Sequence, residues 1–190
     1  MDSLLHTDKI FKNTKYSEKE TKKREFENCS FISCDLSNGI FTSSKFIDCT
    51  FTNCNLSMAK LSQCQLNNVN FKDCKLLGIN FSECQDFLFA TKFENCILDF
   101  CSFERKKMPK TVFSNSSLKS VDFSGCDLTK SLFSNTNLLN AVFNKTILNE
   151  VDFLTALNFS INPEINSIKK AKFSINGVAG LLDKYNIIIE

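Results

Sequence analysis

The segment Phe26-Glu27-Asn28-Cys29-Ser30-Phe31-Ile32-Ser33-Cys34-Asp35-Leu36 carries a rule that the rest of the chain repeats: a large apolar residue at every fifth position. Working outward, Phe41, Phe46, Phe51, Leu56, Leu61, Leu66, Phe71, Leu76 and Phe81 continue this position, called i below. Upstream, Phe11 and Tyr16 keep the same phase, with Thr21 a weaker link. The phase then shifts by two residues and resumes at Leu88, Phe93, Leu98, Phe103, Met108, Phe113, Leu118, Phe123, Leu128, Phe133, Leu138, Phe143, Leu148 and Phe153. A period of five fits neither a helix nor a plain strand. It fits a chain that turns a corner every five residues.

Two places before each large residue stands a small one, among them Cys29, Cys34, Ser44, Cys49, Cys54, Ala59, Cys64, Val69, Cys74, Cys96, Cys101, Ser116, Val121 and Cys126. The remaining positions are mostly Ser, Thr, Asn, Asp, Lys and Glu, which suit turns and solvent. Nine of the ten cysteines fall in this i−2 slot, and Cys84 would do so if the first phase ran one step further. A reduced Cys is a small, readily buried hydrophobe. With His6 the only histidine and no Cys-x-x-Cys pair, the usual zinc spacings are missing. A redox or metal ladder such as Cys34, Cys54 and Cys74 is the functional alternative to this packing role.

The pattern resembles that of the pentapeptide-repeat family over nearly the whole chain. The resemblance implies an all-β fold: a right-handed, four-sided parallel β-helix in which four pentapeptides make one coil. Side chains at i and i−2 would point inward, and residues 20 apart would lie above one another. With coils at the usual strand spacing, the rod would be about 30 Å long. The expected layout is an N-terminal cap and first partial coil over 1–25, coils over 26–157 with the phase slip at 82–87, and a C-terminal module over 158–190.

Two irregularities interrupt the coils. The slip Ser82-Glu83-Cys84-Gln85-Asp86-Phe87 predicts a bulge with Phe87 or Phe89 exposed. At Arg105-Lys106-Lys107-Met108-Pro109, Lys106 stands in a slot meant for a small inward residue, so its charge must escape or the corner must distort. Phe87, Arg105, Lys106 and Lys107 are therefore candidate partner contacts. After Phe153 the repeats fade, Val178 to Tyr185 reads as a short helix, and Ile187-Ile188-Ile189 as a terminal strand. Such a stack needs a cap. The surplus of apolar residues there suggests a dimer interface formed by Phe159, Phe173, Leu181, Leu182, Tyr185, Ile187, Ile188 and Ile189.

The ends narrow the resemblance. Asp8-Lys9-Ile10-Phe11 leading into the repeats, and Pro163-Glu164 leading to a terminal Leu-Leu, are similar to the quinolone-resistance and microcin-immunity branch of the family. That likeness implies a homodimer joined through the C-terminal module. It also implies DNA gyrase or topoisomerase IV as a partner that is shielded from drugs or toxins. The rods of that branch are thought to imitate DNA. The surface here departs from a DNA mimic: net charge is +2, and acids and bases are scattered over all four faces. A rigid scaffold with another partner is the alternative.

The length of 190 residues suits one domain. No apolar run at the N-terminus reads as a signal peptide, and none is long enough to span a membrane. A cytoplasmic, non-catalytic protein is expected, with no cofactor, no bound metal, no membrane contact and no direct contact with nucleic acid.

Overall fold

The computed structural model describes residues 4–16 and 22–188. The chain winds as a four-sided parallel β-solenoid of about eight turns. One face is a sheet of strands Leu5–Thr7, Glu25–Glu27, Lys45–Ile47 and Gln65–Asn67. The next face is a nine-stranded sheet of Ile10–Lys12, Ser30–Ile32, Thr50–Thr52, Val69–Lys72, Thr91–Glu94, Val112–Ser114, Leu132–Ser134, Asp152–Phe153 and Lys172–Phe173. We call these the first and second faces. The other two are held by single parallel bridges such as Asp35 to Asn55 and Ile40 to Lys60. Among the described residues no helix is long and apolar enough to cross a membrane.

The five-residue period has a backbone cause. At almost every corner residue i+2 adopts the left-handed conformation, from Asp8 (φ 55°) to Lys170 (φ 57°). Asn, Asp and Ser tolerate this region better than bulky residues do, which is why they crowd the corners. On the two bridge-held faces the N–H of residue i+1 takes no part in the ladder. At several corners it donates instead to a side chain at i−1: Thr129 to Asp127 Oδ1 at 2.9 Å and Ser124 to Asp122 Oδ1 at 2.8 Å. Pro109 occupies this i+1 place, so its missing N–H costs the ladder nothing. Met108 and Lys110 still donate to Asp127 and Thr129 at 2.9 and 2.8 Å.

Inside, the i side chains stack in columns. On the second face Phe11, Phe31, Phe51, Phe71, Phe93, Phe113, Phe133, Phe153 and Phe173 form one unbroken stack. Successive ring centroids are 4.5 to 5.4 Å apart with planes within 17° of parallel, a geometry that adds to simple burial. The slip does not break the column: Phe71 pairs in register with Phe93, and Val69 with Thr91. The two extra residues are absorbed at one corner, and every later coil resumes its place.

The coils extend further at both ends than the run of large residues suggests. His6 occupies an i position of the first coil, buried and stacked on the Phe26 ring at 4.9 Å, so the first partial coil expected over 1–25 already has an aromatic ring in its i position. At the other end the fading of the repeats is only in the side chains. Asp152 pairs with Lys172 and Phe153 with Phe173, and Ala156, Ile161 and Asn166 fill further inward slots.

Candidate functional site

The i−2 slot selects for more than size. All ten thiols are buried, and each lies 2.8 to 3.5 Å from the carbonyl oxygen of an i residue one coil earlier. Cys64 donates to Phe41 O and Cys126 to Phe103 O, both at 2.8 Å. Thr146 and Asn166 do the same to Phe123 O and Phe143 O at 2.9 and 3.0 Å. The slot side chain also accepts where a corner leaves an N–H free: Cys34 N donates to Cys54 Sγ at 3.3 Å and Cys96 N to Ser116 Oγ at 3.0 Å. Burial pushes the thiols of Cys49, Cys64, Cys101 and Cys126 up to about 12. In the column Cys34–Cys54–Cys74–Cys96, hydrogen-bonding contact with the Cys74 thiol holds Cys54 and Cys96 below their ordinary value, and the same contacts raise Cys74. The column is closed to solvent along its length.

The two irregular corners prove to be one construction. The four-stranded sheet of the first face ends at Gln65–Asn67, and the bulge follows one coil later. There Phe89 turns inward and is buried, whereas Phe87 is 71% and Leu88 53% exposed. Leu88, read from sequence as the first large residue of the second phase, instead holds a left-handed corner (φ 56°).

Lys106 does not escape and does not distort its corner. Its side chain is 2% exposed, and its main chain is regular, with Lys106 N on Phe103 O and Asp127 N on Lys106 O, both at 2.9 Å. The ammonium runs back to the bulge. There it donates to the Cys84 carbonyl and to Asp86 Oδ1 at 2.8 Å, and lies 5.2 Å from the centre of the Phe89 ring. Lys106 is thus removed from the set of partner contacts, because the longer corner supplies acceptors inside the rod. Arg105 and Lys107 remain exposed, Arg105 paired with Glu104 at 3.2 Å.

The C-terminal module differs from the expected helix and strand. Val178–Leu181 and Asp183–Tyr185 form two short 3-10 turns, and Asn186 turns the chain left-handed (φ 49°). Ile187 and Ile188 then lie outside any strand, Ile188 89% exposed; Ile189 lies outside the described residues. Phe159 belongs to the core rather than to an exposed patch, while Phe173, Leu181 and Leu182 are half-buried and Tyr185 is exposed. Gly180 makes this closure possible: it accepts from Ile161 N at 2.9 Å, and a Cβ there would come within 2.2 Å of Phe159 O. Glu164 ties the module down through Lys184 and, at 3.0 Å, the Tyr185 hydroxyl. Sequence reading missed Leu157, Ile165, Ile175 and Val178, all exposed around this end, because no inward periodicity marks them. A groove of about 470 Å³ runs between Leu139 and Leu157 on one wall and Asn176, Gly180 and Asp183 on the other.

Coils, columns and slot together define a solenoid of pentapeptide repeats. A family model described as a pentapeptide repeat region matches residues 24–87, and one for pentapeptide repeats (8 copies) matches 96–135 and 126–154. The chain belongs to the pentapeptide-repeat family. No curated protein matches it in sequence. Among solved structures it is similar to a trypsin-treated variant of QnrB1, a plasmid-mediated fluoroquinolone resistance protein, with TM-score 0.68 and 15% identity over 99% of this chain and 98% of that one. Full-length QnrB1 gives 0.63 and 15%, over 96% and 100%. HetL of the cyanobacterium Nostoc sp. strain PCC 7120, a pentapeptide repeat protein involved in heterocyst differentiation regulation, gives 0.55 and 14%, over 91% and 89%.

Proposed function

We propose that this chain is a non-catalytic interaction protein that binds DNA gyrase or topoisomerase IV in the cytoplasm and shields the enzyme from inhibitors. The observation that carries the non-catalytic reading is the fate of the chemically capable groups: ten thiols and Lys106 are committed to corner hydrogen bonds inside the rod. What remains outward is a rigid surface. The topoisomerase assignment rests on the end-to-end likeness to QnrB1, itself a fluoroquinolone resistance protein. A homodimer joined through the C-terminal module belongs to the same reading, supported by the exposed Ile175, Tyr185, Ile187 and Ile188.

The deciding experiment is DNA supercoiling by purified gyrase, and decatenation by topoisomerase IV, with the protein added in the presence and absence of a fluoroquinolone. Restored activity under the drug supports the proposal; no change in either enzyme refutes it. A rod that scaffolds some other assembly is the second reading. The mixed surface favours it, for cross-coil ion pairs such as Lys45–Glu25 at 3.1 Å and Lys72–Glu94 at 2.9 Å neutralise the charge a DNA mimic would display.

A further inference from the structure

The bulge on the first face is braced from within. In a regular coil the slot carbonyl accepts a main-chain N–H from the next coil, as Cys54 O does from Lys75 and Cys64 O from Gln85, both at 2.9 Å. At Cys84 the ammonium of Lys106 takes that role and also holds Asp86. Ala90 N returns to the ladder on Leu66 O at 2.9 Å, and Phe89 seals the interior. Phe87 and Leu88 are left on a corner fixed at both ends. Two adjacent large apolar side chains face water there, with little ordering entropy left to lose on contact.

The surroundings are cationic. Lys110 stands one coil on from Ala90, two residues past Leu88, in the register that pairs Val112 with Lys92, and the register that sets Ser102 on Asn80 places Lys107 one coil on from Gln85. Lys92 and Lys110 line one groove of about 220 Å³ beside the bulge. None of Lys92, Lys107 and Lys110 belongs to an ion pair among the described residues. We propose that this braced knob is a docking site for an acidic segment of a partner protein that carries apolar side chains. Leucine or aromatic groups would pack on Phe87 and Leu88, and carboxylates would meet the three lysines. A continuous polyanion fits less well. Toward the N-terminus the same face presents Asp8, Glu27 and Asp48, with Glu25 neutralised by Lys45, and these three carboxylates would repel DNA or an anionic bilayer laid along it. The docking site does not depend on the partner being a topoisomerase.

The test uses isotope-labelled full-length protein and a short synthetic peptide of Asp and Glu set around Leu and Phe. Its Asn/Gln analogue, phosphatidylserine vesicles and duplex DNA serve as competing probes. The acidic peptide should shift amide signals of residues 84–92 and 105–112. Its affinity should fall about tenfold in a Phe87→Ser/Leu88→Ser variant and about tenfold in a Lys107→Glu/Lys110→Glu variant, each a loss typical of an interface anchor. These four side chains face solvent, and unchanged thermal melts would show that the variants fold. No shift at the bulge, equal binding of the Asn/Gln analogue, or tighter binding of vesicles or DNA would overturn the proposal.

Discussion

Met58, Leu88 and Phe100 hold left-handed corners that Asn or Asp occupies elsewhere (φ 59°, 56° and 63°). Phe100 is 65% exposed and loses little burial on replacement. Phe100→Asn should therefore raise stability by up to about 1 kcal/mol, the relief of left-handed strain at one residue, as read in urea melts. The cysteine slot works in the opposite sense. Cys64→Ser keeps a second donor for Phe41 O, whereas Cys64→Ala leaves that carbonyl with the Ser44 N–H at 2.9 Å alone. The alanine variant should be the less stable of the two by about 1 kcal/mol. Thiol titration should label few of the ten cysteines in the native state and all of them after unfolding, since burial closes them off and raises several toward 12. That the slot takes small residues was legible from spacing alone. That it also supplies a donor at many corners was not, because Ala59, Ile79 and Val121 share the slot.

Along each element the unit of stability is the column rather than the strand, most of which are three residues long. Phe51 stacks between Phe31 at 4.5 Å and Phe71 at 5.1 Å. Phe51→Ala should cost about 3–5 kcal/mol, while replacing the exposed Lys60 should change stability by less than about 0.5 kcal/mol; comparable denaturant midpoints for the two would reverse the inside–outside assignment. The bulge and Lys106 form an element of their own, and the two halves of the pair are unequal. Lys106 is 2% exposed and Asp86 67%. Removing the lysine frees a carboxylate that is already in water, whereas removing the carboxylate leaves an ammonium inside the rod. Asp86→Ala should thus cost about 2 kcal/mol, less than the roughly 3–5 of a fully buried pair. Lys106→Met, which keeps the packing and loses the bond to Cys84 O, should cost about 1 kcal/mol. Sequence exposed each irregularity separately, the slip at 82–87 and the lysine in a small slot. Their union was hidden, because residues 22 apart become neighbours only once the slip itself is counted in the register.

At the scale of the whole rod, the ends decide what the molecule does with its surplus apolar surface. The interior was legible because every coil repeats one rule, but the C-terminal module is built from contacts that occur once, such as Gly180 on Phe159. Gly180→Ala should loosen the module without melting the coils, exposing Phe159 and lowering the first transition in a thermal scan. The module should also loosen in acid. The bonds to Lys184 and Tyr185 hold the Glu164 carboxyl below its ordinary value, so its contribution is present above that value and is lost as pH falls through the lowered one. High salt should weaken the same contact, since it is exposed. The proposed dimer rests on the same end. Ile175 and Ile188 are 88% and 89% exposed, and Leu157, Ile165, Val178 and Ile187 are also exposed in the C-terminal coils and module. The module's own turns cover Phe159 but leave these side chains in water. A second copy offering the same patch about a two-fold axis would bury both sets at once. Static light scattering should then give twice the monomer mass for the full-length protein at high micromolar concentration, and the monomer mass for an Ile175→Asp/Ile188→Asp variant. Both substitutions lie on exposed side chains, so the coils should melt unchanged. A monomeric wild-type protein, or a variant that stays dimeric, would place the interface elsewhere on the rod.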